Sequence, residues 1–408
     1  MTRVAHVLRK YDAREAGGTE THVAEVTRRL LQRGYSSEVH APRRGAGADG
    51  GGLDVPLFRY RAFCPFVGPA ARREALWANA GNIVSLEEPL RLARDRGLAL
   101  AHLHTAGRIG GGVRSAMRLT GRPYVVSVHG PLFSGSAFLA GDTARRQRGL
   151  VDLGQPFGML LGARSVLRDA ARVISFNDAE HAALQARFGR RAVRMDHGVD
   201  AARLATGDAA RARQRWPQLA GKVVVAQVGR LCEQKDQLLA LRAFALGAPP
   251  EAVLALAGAE TDQGYRQTLE QAARELGLGA RVLFLGQLAP AEVADLLASA
   301  TLLLAPSRHE AFGLCVLEAW AAGRPALFAA VGGLADLARR LSSSEEASLE
   351  SRRPAAWGAR LSQLLRSPAL LAACAADGAR LVRERFSWER AAEALAALYG
   401  EVLAEARA

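Results

Sequence analysis

The chain has 408 residues, 49% of them apolar, and a formal charge of +14. With a mean hydropathy of zero and an isoelectric point near 10.6 it reads as a globular protein, too long for one core and suited to two domains of roughly 200 residues. No apolar run reaches the length of a membrane-spanning helix, and Cys64, Cys232, Cys315 and Cys374 are too scattered for a zinc site or a disulfide framework. The chain enters a strand directly, without a leader, which predicts a cytoplasmic protein.

Residues 4–8 read as a strand, Gly17 and Gly18 as a glycine turn, and Val23, Val26, Leu30 and Leu31 recur at helical spacing before Gly34. That is the opening βα unit of a doubly wound domain. Residues 124–128 are a β-rich run ending at His129, where a strand's carboxyl end would place the imidazole on the ligand side of an open α/β sheet. Between 133 and 173, Phe133, Phe138, Leu139, Phe157, Met159, Leu160 and Leu161 are mixed with Arg145, Arg146, Arg148, Arg164 and Arg168. Such mixing is read first as an arginine-rich solvated surface, and it also suits an anionic membrane face or a lipid-linked acceptor. No zinc finger or aromatic-bearing basic strand accompanies the charge, so nucleic acid is not an expected partner.

The first half runs over 1–198, with 201–219 read as linker and helix. A buried strand over 222–228 opens the second half, 199–382, and leads into the segment 228–236 (VGRLCEQKD). Residues 253–258 continue the sheet, and 284–288 (FLGQL) reads as a strand end followed by a turn. Residues 302–306 suit a buried strand closed by proline, and the segment 309–325 (HEAFGLCVLEAWAAGRP) continues as loop and helix with a glycine stop. The backbone N–H groups of Phe312, Gly313, Leu314 and Cys315 would open that helix, forming a site for a diphosphate or sugar hydroxyls. Glu310 precedes the helix and Glu318 lies about one and a half turns inside it, so the two carboxylates can address different ends of an elongated ligand. Read alone, Glu318 is as readily a helix-surface charge. The stretch 334–350 is rich in Ser, Glu and Arg and reads as an exposed loop. Trp388, Ala392, Leu395, Leu398, Tyr399 and Val402 define a terminal helix within 383–408.

Taken together, the Glu-x7-Glu pattern of Glu310 and Glu318, the Gly-Arg-Leu element with Arg230 and Lys235, and the paired glycines near the amino end resemble the retaining glycosyltransferases of family four. The resemblance implies an α/β GT-B fold, with two Rossmann-like doubly wound domains facing a central cleft and a terminal helix crossing back to the first. It implies that Arg230 and Lys235 grip the donor diphosphate, that Glu310 orients the donor sugar and Glu318 holds the ribose. It also implies that Gln287 and Leu288 meet the nucleobase mainly through backbone, that Gly17 and Gly18 reach the phosphate or acceptor side, and that His129 lies near the transferred sugar. Neither a metal nor a further cofactor is required.

Two departures from the family pattern stand out. His197, in 195–200 (MDHGVD), replaces an asparagine, and after Val331-Gly332-Gly333-Leu334 the family's next strand is missing or rewritten. The implied function is transfer of a hexose from a nucleoside diphosphate sugar, a UDP-sugar first and a GDP- or ADP-sugar as alternatives, to an acceptor hydroxyl. The acceptor is open among a sugar, a lipid-linked sugar and a natural product, and the location is cytoplasmic, with peripheral contact at the inner membrane face. The alternatives are a non-catalytic nucleotide-binding protein of the same fold and a sugar-nucleotide epimerase.

Overall fold

A computed structural model describes residues 1–12, 17–43, 53–70, 77, 83–130, 132–133 and 150–408. Two compact units form, one from Met1–Asp196 with Trp388–Ala408 and one from His197–Ser387.

In the first unit, β1 (Thr2–Val7), β2 (Tyr35–Pro42), β3 (Leu57–Tyr60), β4 (Leu98–Leu103), β5 (Tyr124–Val128), β6 (Arg172–Ser175) and β7 (Ala192–Arg194) lie in the order β3-β2-β1-β4-β5-β6-β7. Every neighbouring pair is parallel. The second unit repeats the plan with β8 (Val223–Val228), β9 (Ala252–Ala257), β10 (Val282–Gly286), β11 (Leu302–Ala305), β12 (Ala326–Ala329) and β13 (Ser348–Leu349), again all parallel and in the order β10-β9-β8-β11-β12-β13. All six residues of β9 are buried, as continuous apolar strands must be when helices cover both faces of a parallel sheet.

Both sheets grow outward in two directions from their first strand. The order reverses between β1 and β4 in one and between β8 and β11 in the other, and such switch points, outside the carboxyl ends of the strands, are where open α/β sheets bind ligands. The expected α/β class with two doubly wound sheets is what the chain adopts.

The helices that matter for the site are α1 (Gly18–Leu30), α2 (Gln237–Gly247), α3 (Leu314–Ala321), α4 (Gly333–Ala338) and α5 (Trp388–Glu405). Helix α3 buries Val316, Leu317, Ala319 and Trp320, and stops where Gly323 takes a left-handed φ of 70° and its N–H turns back to the Trp320 carbonyl. Helix α5 belongs to the first unit, to which it is tied by Tyr399 Oη against His102 Nδ1 at 2.6 Å and Tyr35 Oη donating to the Ala396 carbonyl at 3.0 Å.

The stretch 334–350 is not the exposed loop expected from its composition. Leu334, Leu337, Leu341 and Ala347 are buried, Ser344–Ala347 makes a helical turn, and β13 pairs with β12 through Phe328 opposite Ser348 and Ala329 opposite Leu349. The strand was hidden because it has two residues, one of them Ser, while the anchoring apolar residues sit in the helical segments before it.

Candidate functional site

Lys235, Asp236, Arg308 and Glu310 lie in the loops at the switch point of the second unit. Strands β8 and β11 are neighbours, Val225 opposite Leu302 and Ala226 opposite Leu303, so the loops that follow them meet. After β8 the chain turns through Gly229, whose φ of 153° favours glycine, and the Lys235 stem lies alongside it. The turn closes at Asp236, which adopts a left-handed φ of 50° and caps α2 by accepting from the Leu239 N–H at 3.2 Å. The second loop is laced to this turn. Gln234 Nε2 donates to the His309 carbonyl at 3.0 Å, and the Arg308 N–H donates to the Gln234 carbonyl at 2.8 Å. Arg352, just past β13, donates to the carbonyls of Pro306 and Ser307 at 2.8 and 2.9 Å and also to Asp236.

This lacing sets one ion pair. Lys235 Nζ donates to Glu310 Oε1, and Ser307 Oγ donates to the same oxygen at 2.8 Å. Burial is the largest influence on each charge and favours the neutral forms. The opposite partner outweighs it, leaving the Lys235 pKa raised and the Glu310 pKa lowered, with Ser307 adding to the latter. The pair therefore stays ionised at neutral pH. Lys235 has three N–H donors, of which the contact with Glu310 uses one, so the amine can also serve an anion.

Glycines bring the next segment close. Gly332, at φ 52°, would drive a Cβ to 2.1 Å from the Glu310 carbonyl oxygen, and the Gly333 N–H donates to that oxygen at 2.9 Å. Helix α3 starts one residue after Gly313, so the N–H groups of Leu314 and Cys315 lie in its first turn. The Cys315 thiol is pushed up to about 12 by burial and is not a nucleophile at neutral pH. Further along α3, Glu318 Oε1 accepts from Arg203 at 3.3 Å; burial raises its pKa and Arg203 offsets part of that.

Among the residues expected at the site, Lys235 and Glu310 are in contact. Arg230 is exposed, its guanidinium 3.5 Å from Gln234 Oε1. Gln287 is exposed after β10, whereas Leu288 packs on the core of the second unit. The Phe312 side chain is interior, edge-on to His197 at 4.7 Å and to Phe386 at 5.7 Å, so only its backbone is available to a ligand. His197, the residue that departs from the expected asparagine, is buried there.

Gly17, Gly18 and His129 lie in the first unit. Gly17 caps α1 and its N–H donates to Glu20 at 3.0 Å, so this amide already has a carboxylate partner. His129, past the end of β5, joins an array with His6, His22, His102 and His104, five of the nine histidines. Its Nε2 is 2.8 Å from His104 Nδ1, and its ring stacks on Phe176 at 4.9 Å. Burial pushes the His6 and His22 pKa values down to about 3 and those of His102, His104 and His129 well below the usual range. These rings are neutral in the fold.

Ser307, Asp236, Arg352, Arg203 and the paired Gly332 and Gly333 were not among the expected site residues. Gly332 and Gly333 had a signal, because paired glycines before a helix invite the question of what they approach. Arg352 and Arg203 had none, being two arginines in a chain rich in them.

Residues 16–203 match Glycosyltransferase Family 4 and residues 208–380 match Glycosyl transferases group 1. The D-inositol 3-phosphate glycosyltransferase of Rhodococcus erythropolis is 30% identical over 400 residues, spanning 94% of this chain and 86% of that protein. A protein of the same description from Salinispora tropica is 30% identical over 417 residues, spanning 96% of this chain and 83% of its own. In fold, the chain is similar to Anabaena Alr3699/HepE in complex with UDP-glucose, with a TM-score of 0.75 at 19% identity over 98% of this chain and 100% of that one. Sucrose-phosphate synthase from Thermosynechococcus elongatus gives a TM-score of 0.76 at 20% identity over 99% and 100%. With each half matching in turn and the full length aligning with glycosyltransferases, the chain belongs to glycosyltransferase family 4 and has the GT-B fold.

Proposed function

We propose that the protein transfers a hexose from a nucleoside diphosphate sugar, a UDP-sugar first, to an acceptor hydroxyl with retention of configuration. The observation that carries this is the ionised Lys235–Glu310 pair at the second switch point, beside the opening of α3. In the reaction the bond from the anomeric carbon to the diphosphate breaks and the bond to the acceptor oxygen forms on the same face. The acceptor proton passes to the departing phosphate, so no protein nucleophile is needed. The diphosphate gains negative charge as it leaves, which Arg230, Lys235 and the N–H groups of Phe312, Gly313, Leu314 and Cys315 stabilise most in the transition state. Glu310, anchored by Lys235 and Ser307, accepts from sugar hydroxyls, and Glu318 accepts from the ribose. Gln287 and Leu288 meet the base through backbone, Gly17 and Gly18 allow close approach of a ligand, and His129 contacts the transferred sugar. In this reading side chains and amides carry the positive charge that the reaction requires.

UDP comes first because a similar fold was solved with UDP-glucose. Thermal shift against UDP, GDP and ADP tests the pocket, and release of the matching nucleoside diphosphate tests turnover. No stabilisation by any of the three sinks the reading. D-inositol 3-phosphate is the first acceptor to try, since relatives that align over most of the chain are named for it. The segment that suggested a binding-only protein, 334–350, supplies a paired strand and leads into the bracing Arg352, and no observation favours an epimerase.

Peripheral membrane contact belongs to the same proposal. No helix among the described residues is long and apolar enough to cross a membrane. Met159 and Leu160 in the helix Gln155–Leu160 are 74% and 83% exposed, and Val151 and Leu153 are exposed nearby; Phe138, Leu139, Arg145, Arg146 and Arg148 lie outside the described residues. Co-sedimentation with phosphatidylglycerol vesicles, reduced in a Met159→Ser, Leu160→Ser variant, is the expected outcome. Equal sedimentation of the variant refutes this surface.

A further inference from the structure

The histidines at the first switch point make a chain of hydrogen bonds. His6, in register with His102 on the neighbouring strand, places its Nδ1 3.1 Å from His104 Nε2. His104 Nδ1 is 2.8 Å from His129 Nε2, and at the far end His6 Nε2 is 3.5 Å from Ser37 Oγ. The rings run from the interior end of the chain to the residue expected at the sugar.

A neutral imidazole has one N–H and one lone pair, and each contact needs one of each. Two arrangements satisfy both histidine–histidine contacts. Either all three rings carry the proton on Nε2 and donate inward toward Ser37, or all three carry it on Nδ1 and donate outward toward His129. A ring that disagreed with its neighbour would leave two buried lone pairs or two buried N–H groups facing each other, at a cost of about 1–3 kcal/mol per unsatisfied group.

The geometry points to His6 and His104 as positioning residues that lock the tautomer of His129 to their own. The strong depression of all three pKa values, caused first by burial, supports neutral rings throughout. A metal centre fits the same residues poorly, although ligand atoms of His6, His102 and His104 lie within 4.8 Å of one another. Both His102 nitrogens are engaged, Nδ1 with Tyr399 Oη at 2.6 Å and Nε2 with Ser127 Oγ at 2.8 Å.

The inference rests on the proposed sugar contact of His129 for its functional meaning, but its first test does not. Two-bond proton–nitrogen correlation spectra of histidine-labelled full-length protein should show His6, His104 and His129 in one shared neutral tautomer near pH 7. An averaged pattern at His129, or a tautomer opposite to that of His104, overturns the inference. His6→Phe should then release His104 and His129 into mixed tautomers and lower kcat several-fold at unchanged donor KM. His6→Gln, which keeps a polar group at the position, gives the same reading if the Phe variant fails to fold. An unchanged His129 pattern in the folded variant overturns the lock. Unchanged kcat and KM in His129→Ala would instead remove the sugar contact while leaving the lock intact.

Discussion

The two switch points solve the same burial problem in opposite ways. At the second, Lys235 and Glu310 keep their charges because each has the other; at the first, His6, His102 and His104 meet other imidazoles and the hydroxyls of Ser37, Ser127 and Tyr399, and burial leaves them neutral. His40 shows that the difference lies in partners rather than in depth. It is as buried as the stacked histidines, but Glu88 at 2.6 Å and Glu38 at 3.1 Å overcome the burial term and raise its pKa to about 9. A buried charge in this fold is therefore a statement about its counter-charge. In the proposed function the ionic switch point is the one that meets the anionic diphosphate.

The largest effect should come from breaking the ionic side. Lys235→Met leaves Glu310 buried with Ser307 alone, which is expected to cost about 3–5 kcal/mol of stability and to abolish stabilisation by UDP. Combining it with Glu310→Gln should restore much of the stability but no turnover, measured by urea unfolding and by nucleotide release. A Lys235→Met protein that still responds to UDP would remove Lys235 from the donor site.

Next in size is the response to pH, where the two kinds of histidine have opposite signs. Burial depresses His6 and His22 to about 3 against an ordinary 6.5, so their stabilising contribution is complete above pH 6.5 and is lost as pH falls toward 3, where the unfolded chain takes up protons that the fold refuses. The raised pKa of His40 works the other way: its contribution is complete below pH 6.5 and is lost as pH rises through about 9. Urea midpoints should peak near neutrality, with the alkaline decline removed in His40→Gln and the acid decline softened in His22→Phe. Identical slopes in the wild type and both variants would show that these rings do not govern the curve.

These two regions also differ in how much of them could be read from the sequence. The ionic side is built from two short local segments, 228–236 and 309–325, whose residue types and order survive as a pattern. The neutral side is assembled by strand register: His6 and His102 come from two strands and His129 from just past a third, far apart in sequence, and no local spacing announces that β1 lies beside β4. The alternation of apolar strands and helices was enough for the doubly wound class, since parallel strands buried on both faces are conspicuous. Strand β13 was lost for the opposite reason, having two residues and a serine. The bracing Arg352 and Arg203 were invisible because an arginine reveals its partners only once the backbone is placed.

A smaller effect is expected at the junction of helix α5 with the first sheet. Tyr399→Phe deletes the hydroxyl that meets His102 Nδ1 and leaves a buried nitrogen without that partner, a loss of about 1–3 kcal/mol. The first unit should unfold at lower urea while the apparent affinity for UDP in the folded protein stays the same. A weakened UDP affinity would mean that the neutral stack and the donor residues are coupled.

The smallest effect is expected at Arg203, and it tests whether Glu318 behaves as a member of the ionic side. Its guanidinium is 3.3 Å from Glu318 Oε1 and also donates to the Pro290 carbonyl at 2.7 Å, with 29% of the Arg203 side chain and 24% of the Glu318 side chain exposed. A pair this open to solvent is worth up to about 1 kcal/mol, so Arg203→Gln should barely move the unfolding midpoint. It should still raise the Glu318 pKa further, because burial already pushes that carboxyl up and Arg203 is the charge that restrains it. If the ionised carboxylate holds the ribose, donor KM in Arg203→Gln should rise more steeply than in the wild type as pH is lowered below neutrality, while kcat at saturating donor keeps its wild-type pH dependence. A donor KM with the wild-type pH dependence would place Glu318 outside the donor site and leave it as a helix-surface charge.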